Sequence, residues 1–233
     1  PRTSARPRPV PTADFSGATL TVGGSGGHGS IAAALRDARD GDRVIVLPGT
    51  WHEGPLVIDR RIELVGRGGA TIDGGGAGHV LQVTADGVVI RGLTITGSGF
   101  SFVHDFAAII FEGVSGCTAE DNRLEGNFFG IYIAKSNGCR IAGNVIVATE
   151  ARESASGNGI HLWSASDAEV ESNHVAGHRD GIYLEHVRGA AIRGNTSEQN
   201  LRYGLHFMFS SENEYIGNTF RSNGAGVAVM YSR

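Results

Sequence analysis

The amino-acid sequence predicts an all-β protein, a right-handed parallel β-helix, and three observations carry that expectation. A segment led mostly by glycine recurs about every 22 residues through the second half of the chain. Each copy holds short Val, Ile and Leu alternations with no helical period, and an asparagine returns at one fixed turn position in every complete copy. A unit that short cannot bury its own apolar face, so each copy must be one coil of a solenoid that hides the face by stacking on its neighbours.

The elements follow in order along the chain. Residues 1–14 carry four of the six prolines and three arginines, a composition that cannot build a core and reads as a spacer. We expect a division into a Pro/Arg-rich tail with a leading strand over 1–29 and a β-helix domain over 30–233. Ser30 to Trp51, "SIAAALRDARDGDRVIVLPGTW", reads as an amphipathic capping helix followed by a first strand. "RIELVG", "VLQVT" and "VVIRGLTI" carry strands onward to residue 97.

The clear copies begin at Ala108, Gly130, Gly159, Gly181, Gly204 and Gly226, spaced by 22, 29, 22, 23 and 22 residues. Fourteen residues into each complete copy stand Asn122, Asn144, Asn173, Asn195 and Asn218. A second polar slot, five residues further on, holds Asn127, His178, Asn200 and Asn223. Asparagine suits a stacked turn because its amide can bond the same backbone groups of the coils on either side. The long copy carries an insertion around Ala148–Asn158. The chain stops after one strand of a new coil, so we expect a truncated piece of a longer solenoid. The pattern resembles the parallel β-helix of pectate lyases and their relatives. Leucine-rich repeats have a similar length but need a Leu-x-x-Leu-x-Leu frame that this sequence lacks.

Composition narrows the functional classes. The 36 glycines follow no Gly-X-Y period, and 40% hydrophobic residues suffice for a core. A net charge of −4 with no Lys/Arg run gives no footprint for nucleic acid, and no apolar run is long enough to span a membrane. Cys117 and Cys139 fall in the same slot of adjacent coils, where we expect buried thiols; the spacing also permits a disulfide.

Strand alternation puts positions one and three after each leading residue inside and positions two and four outside. Two outward columns result. The first runs Ile110, Tyr132, His161, Tyr183, His206, Ala228, and the second runs Glu112, Ala134, Trp163, Glu185, Met208, Met230. Both columns are expected to face solvent. Met208 and Met230, the only methionines, become neighbours with His206 beside them, a donor set that would favour Cu(I) over harder ions. The bland alternative is a Met-rich contact surface. His178 is expected to serve the asparagine ladder by hydrogen bonding. No paired carboxylates or calcium-type acid cluster stands out, so no catalytic residue is assigned; Asp180, Arg179, His161 and Glu185 form a loose constellation at most.

The closing run, "NLRYGLHFMFSSENEYIGNTFRSNGAGVAVMYSR", resembles the NosD family through its "RYGLHFM…GNTF…NGAGVAVMYS" residues. The resemblance implies a periplasmic, non-enzymatic accessory protein of nitrous oxide reductase maturation. It further implies work with an ABC transporter, and with a copper chaperone or the reductase itself, in supplying copper for the copper-sulfur centre. It transfers no site residues; His206, Met208 and Met230 rest on column geometry. The competing expectation is a polysaccharide lyase, epimerase or carbohydrate-binding β-helix.

Overall fold

A computed structural model describes residues 14–149 and 152–233 of the chain. The expected tail lies almost wholly outside these residues. Short strands of three to six residues make three parallel sheets of nine, eight and eight strands, wound into a right-handed β-solenoid of about nine coils. Thr19–Val22 belongs to the first sheet alone, each later coil contributes one strand to each sheet, and every strand except those at the ends of the sheets pairs with its equivalent one coil before and one coil after.

The first sheet begins at Thr19–Val22 and ends at Glu214–Ile216, the second runs from Gly49–His52 to Thr219–Arg221, and the third from Leu56–Ile58 to Ala225–Met230. Ser30 caps the helix Ile31–Asp37 by accepting a hydrogen bond from Ala33 N at 3.1 Å. Glu53 supplies a second cap, its carboxylate accepting from the amides of Ile31 and Ala32 at 2.7 and 2.9 Å. The buried side chains Ile31, Ala34 and Leu35 face the first strands of the first and third sheets.

The inward alternation holds. Ile109, Ile131, Ile160, Ile182 and Leu205 pair one above another, as do Phe111, Ile133, Leu162, Leu184 and Phe207, and all ten are buried. Only in the last strand does the rule relax: Val229 is 58% exposed, because Ala225–Met230 has a neighbour on one side alone.

The asparagine ladder is continuous. Asn144 Oδ1 accepts from the backbone and side-chain nitrogens of Asn122 at 3.0 and 3.1 Å, and Asn144 Nδ2 donates to Ala119 O at 2.9 Å and to Asn173 Oδ1 at 3.0 Å. The same arrangement repeats through Asn195 and Asn218. These amides satisfy the backbone groups that the turn withdraws from the sheets. Behind each of the last five strands of the third sheet a second corner recurs in left-handed geometry, with φ of 51° at Lys135, 49° at Ser164, 54° at His186, 50° at Phe209 and 50° at Tyr231. Cys117 and Cys139 are buried and joined by no disulfide, as one of the two expectations had it.

Candidate functional site

The outer face of the third sheet carries the first column, and here the structure corrects the sequence reading. Tyr132, His161, Tyr183 and His206 do point away from the coil interior, yet His161 and His206 are only 6% and 2% exposed. Two physical causes act together. Flat rings repeated at each coil cover one another: Tyr132 stacks on His161 at 4.7 Å, His161 meets Tyr183 at 4.8 Å, and Tyr183 meets His206 at 4.6 Å. The flanks are also filled, by Phe129 stacked at 5.6 Å from His161 and by Tyr203 edge-on at 4.9 Å from His206.

The end of the inserted segment joins the stack: Gly157 N donates to Phe128 O at 3.2 Å and Gly157 O accepts from Arg179 N at 2.9 Å, so Gly157 lies between those two coils. Glu153, in a single 3-10 turn, stands 3.8 Å from Arg202 Nε. Alternation therefore decides which way a side chain points, while burial depends on what the longer copy and the flanking rings lay beside it.

Within this cover sits a polar group that the sequence reading left as a loose constellation. His206 Nδ1 lies 3.1 Å from Asp180 Oδ2, with both side chains almost fully buried, and Arg202 Nε approaches Asp180 Oδ1 at 3.7 Å. A carboxylate on Nδ1 holds the proton there and leaves Nε2 as the acceptor, the orientation found behind metal-binding and general-base histidines alike. Nε2 of His206 has no hydrogen-bond partner. Burial, with help from the Arg179 charge, pushes the His161 imidazole down to about 3, so the ring is neutral at ordinary pH. Burial and the neighbouring Glu185 carboxylate push the Tyr183 phenol up to about 12.

The second column behaves differently. Met208 and Met230 are direct partners in the register of the last two strands of the third sheet, and both are half-buried rather than fully exposed. His206 and Met208 lie two residues apart on one strand and so share its outer face. Thus the structure keeps the adjacency of the three expected ligands and withdraws the expectation that His206 faces solvent. No cluster of three or more His, Cys, Asp or Glu suited to a metal exists among the described residues.

His178 is a second correction. It fills the asparagine slot and its backbone N–H donates to Asn200 Oδ1 at 3.0 Å, but neither ring nitrogen has a partner. The imidazole is wholly buried and pushed down to about 4 by that burial. It does not replace the asparagine amide, because a rigid ring cannot present an acceptor and a donor to the two neighbouring coils along the stacking direction.

These features define a class: a parallel β-helix with a covered, aromatic and polar outer face on one sheet. Solved β-helices match that architecture over most of the chain. The pneumococcal surface adhesin PfbA matches with a TM-score of 0.65 at 13% identity, over 82% of this chain and 56% of its own. The catalytic domain of a GH87 α-1,3-glucanase gives 0.61 at 16%, over 97% and 46%, and the periplasmic alginate epimerase AlgG gives 0.59 at 14%, over 92% and 55%. At such identities the likeness concerns the fold alone.

More particularly, residues 148–233 match the family model described as NosD, periplasmic copper-binding protein. The chain is 35% identical over 144 residues to a probable ABC transporter binding protein NosD of Pseudomonas aeruginosa and 34% identical over 144 residues to its counterpart in Stutzerimonas stutzeri. Those alignments cover 61% of this chain but 34% and 33% of the relatives, so the chain spans about a third of their length. The NosD resemblance read from the closing run is borne out by these matches.

Proposed function

We propose that the chain is part of a non-enzymatic periplasmic protein that handles copper and works with an ABC transporter; the matching family is described as a periplasmic copper-binding protein and the relatives as probable ABC transporter binding proteins. The finer reading is a role in delivering copper for the copper-sulfur centre of nitrous oxide reductase, with a copper chaperone or the reductase as the protein partner. Among the described residues no helix is long and apolar enough to cross a membrane.

The observation that carries the site is the Asp180–His206 pair: Nδ1 is held, Nε2 is buried and without a partner, and the thioether pair Met208 and Met230 follows on the same face. One imidazole nitrogen and two thioethers form a soft, neutral donor set that suits Cu(I), the cargo in this reading. Asp180 would hold the ring in the orientation that presents Nε2 as the ligating nitrogen, and the half-buried methionines would give the ion its way in and out.

Anaerobic Cu(I) titration against a competing chelator tests the site. The wild-type chain is expected to bind one ion, and Met208→Leu/Met230→Leu to lose most of that affinity with the fold unchanged, since Leu conserves the volume. Equal stoichiometry and affinity in both proteins would remove these residues from the reading.

A further inference from the structure

Buried polar atoms without a hydrogen-bond partner are rare in folded proteins, and each one asks for an explanation. Here they are not scattered. Every such side-chain atom found among the described residues belongs to Asn158, His161, His178, Arg179, Asp180 or His206, residues of three successive coils. His206 is accounted for by the copper reading and His178 faces the inner asparagine slot. The rest fall in the two adjacent coils that follow the inserted segment.

Asn158 and Asp180 occupy equivalent places in adjacent coils, joined by the bond from Gly159 N to Asp180 O at 3.0 Å. Both are essentially fully buried, and the whole Asn158 amide and Asp180 Oδ1 lack a hydrogen-bond partner. His161 stands one strand position beyond Gly159 and Ile160 on the same face, with both ring nitrogens unbonded. Arg179 completes the set: its Nε is buried without a partner, and its charge lies close enough to depress the His161 imidazole and to draw on the Asp105 carboxyl. Asp180 Oδ1 has only the distant Arg202 Nε, at 3.7 Å.

Chemistry follows from that inventory. A guanidinium with an open N–H favours a carboxylate, whose two oxygens match its fork. Asp180 Oδ1 can only accept, and so asks for a hydroxyl donor, while the Asn158 amide and the neutral His161 ring can each give or take a hydrogen bond. We propose that Asn158, His161, Arg179 and Asp180 form a binding site for a small hydroxyl-bearing carboxylate, enclosed between the outer face of the third sheet and the inserted segment. Arg179 holds the carboxylate, and Asp180 with Asn158 and His161 reads the hydroxyl side. The site shares Asp180 with the copper reading but through Oδ1, whereas Oδ2 meets His206, and it uses neither methionine nor His206 Nε2.

The test uses the 233-residue chain labelled with 15N-histidine, with His161 assigned through His161→Gln. Glycolate, the smallest member of the class, and galacturonate, a sugar acid, are titrated at constant ionic strength and pH. Acetate lacks the hydroxyl and galactose lacks the carboxylate, so they serve as controls. The expected result is a saturable shift of the His161 ring nitrogens with glycolate or galacturonate, weakened at least about tenfold in Arg179→Gln, with far weaker responses to both controls. Arg179→Gln is expected to keep the wild-type thermal midpoint and its Cu(I) affinity, which separates this site from the copper one. No shift with either hydroxy acid, or an equal response to acetate or galactose, would overturn the proposal. If Arg179→Gln fails to fold, Arg179→Lys gives the same reading, because it keeps the charge and loses the fork.

Discussion

Asn144 shows how much one side chain can hold at a turn of this solenoid. Its amide accepts two hydrogen bonds from Asn122 and donates two more, to Ala119 O and to Asn173 Oδ1, in a place where water does not reach. Asn144→Ala strands the backbone N–H of Asn122 and the carbonyl of Ala119, both in the coil before it, at about 1–3 kcal/mol for each buried group. We expect a loss of roughly 2–5 kcal/mol in urea unfolding with an unchanged slope against denaturant. Sequence spacing alone pointed to this residue. It could not give the same account of His178, which shares a ladder slot by number yet donates only through its backbone.

At the scale of an element, the leading glycine is a packing requirement at Gly130, Gly159, Gly181 and Gly204. In the strand Asp180–Glu185 a Cβ added at Gly181 would meet Ser197 Oγ at 1.9 Å and the backbone oxygen of Gly204 at 2.8 Å. That strand therefore crosses a corner where the coil interior and the next coil leave no room. Gly181→Ala is expected to destabilise by about 1–3 kcal/mol through overpacking. Calorimetry checks this by a lowered midpoint, and a midpoint equal to wild type would show that the corner yields. The third-sheet strands also show the limit of period-2 reasoning. Alternation placed the His161 and His206 column on the outside correctly, but stacked and flanking rings bury it, one of them, Phe129, backed by Gly157 of the longer copy. The 29-residue spacing between Gly130 and Gly159 was the one sequence signal for that cover, since an extra length of chain in a tight repeat has to lie across some face.

The whole molecule inherits a pH dependence from these buried imidazoles. His161 is pushed down to about 3 and His178 to about 4, both by burial, whereas an unfolded chain has ordinary histidines near 6.5. Between about 4 and 6.5 the unfolded state binds protons that the folded state refuses, so stability falls as pH falls through that window and levels off above it. Each histidine contributes a slope of up to about 1.36 kcal/mol per pH unit. Urea midpoints measured from pH 4.5 to 7.5 are expected to rise and then flatten. His178→Asn, which restores the residue found at Asn200 and Asn223, is expected to make the rise shallower; an identical profile would mean that His178 is charged in the folded protein.

The sequence by itself determined the coil. A glycine and an asparagine at fixed places in a repeat of about 22 residues impose three short strands and a hydrogen-bonded turn, because local backbone freedom and amide chemistry act within one copy and its neighbours. It also put Met208 beside Met230, since equal spacing means adjacency once coils stack. Tertiary structure alone decided what is covered. Asp180 meets His206 across 26 residues, and Arg179, His161 and Asn158 gather beside a segment inserted in one copy only. No period encodes such a meeting, for it depends on where an irregular piece of chain comes to rest on a regular one, and on the loss of water that follows.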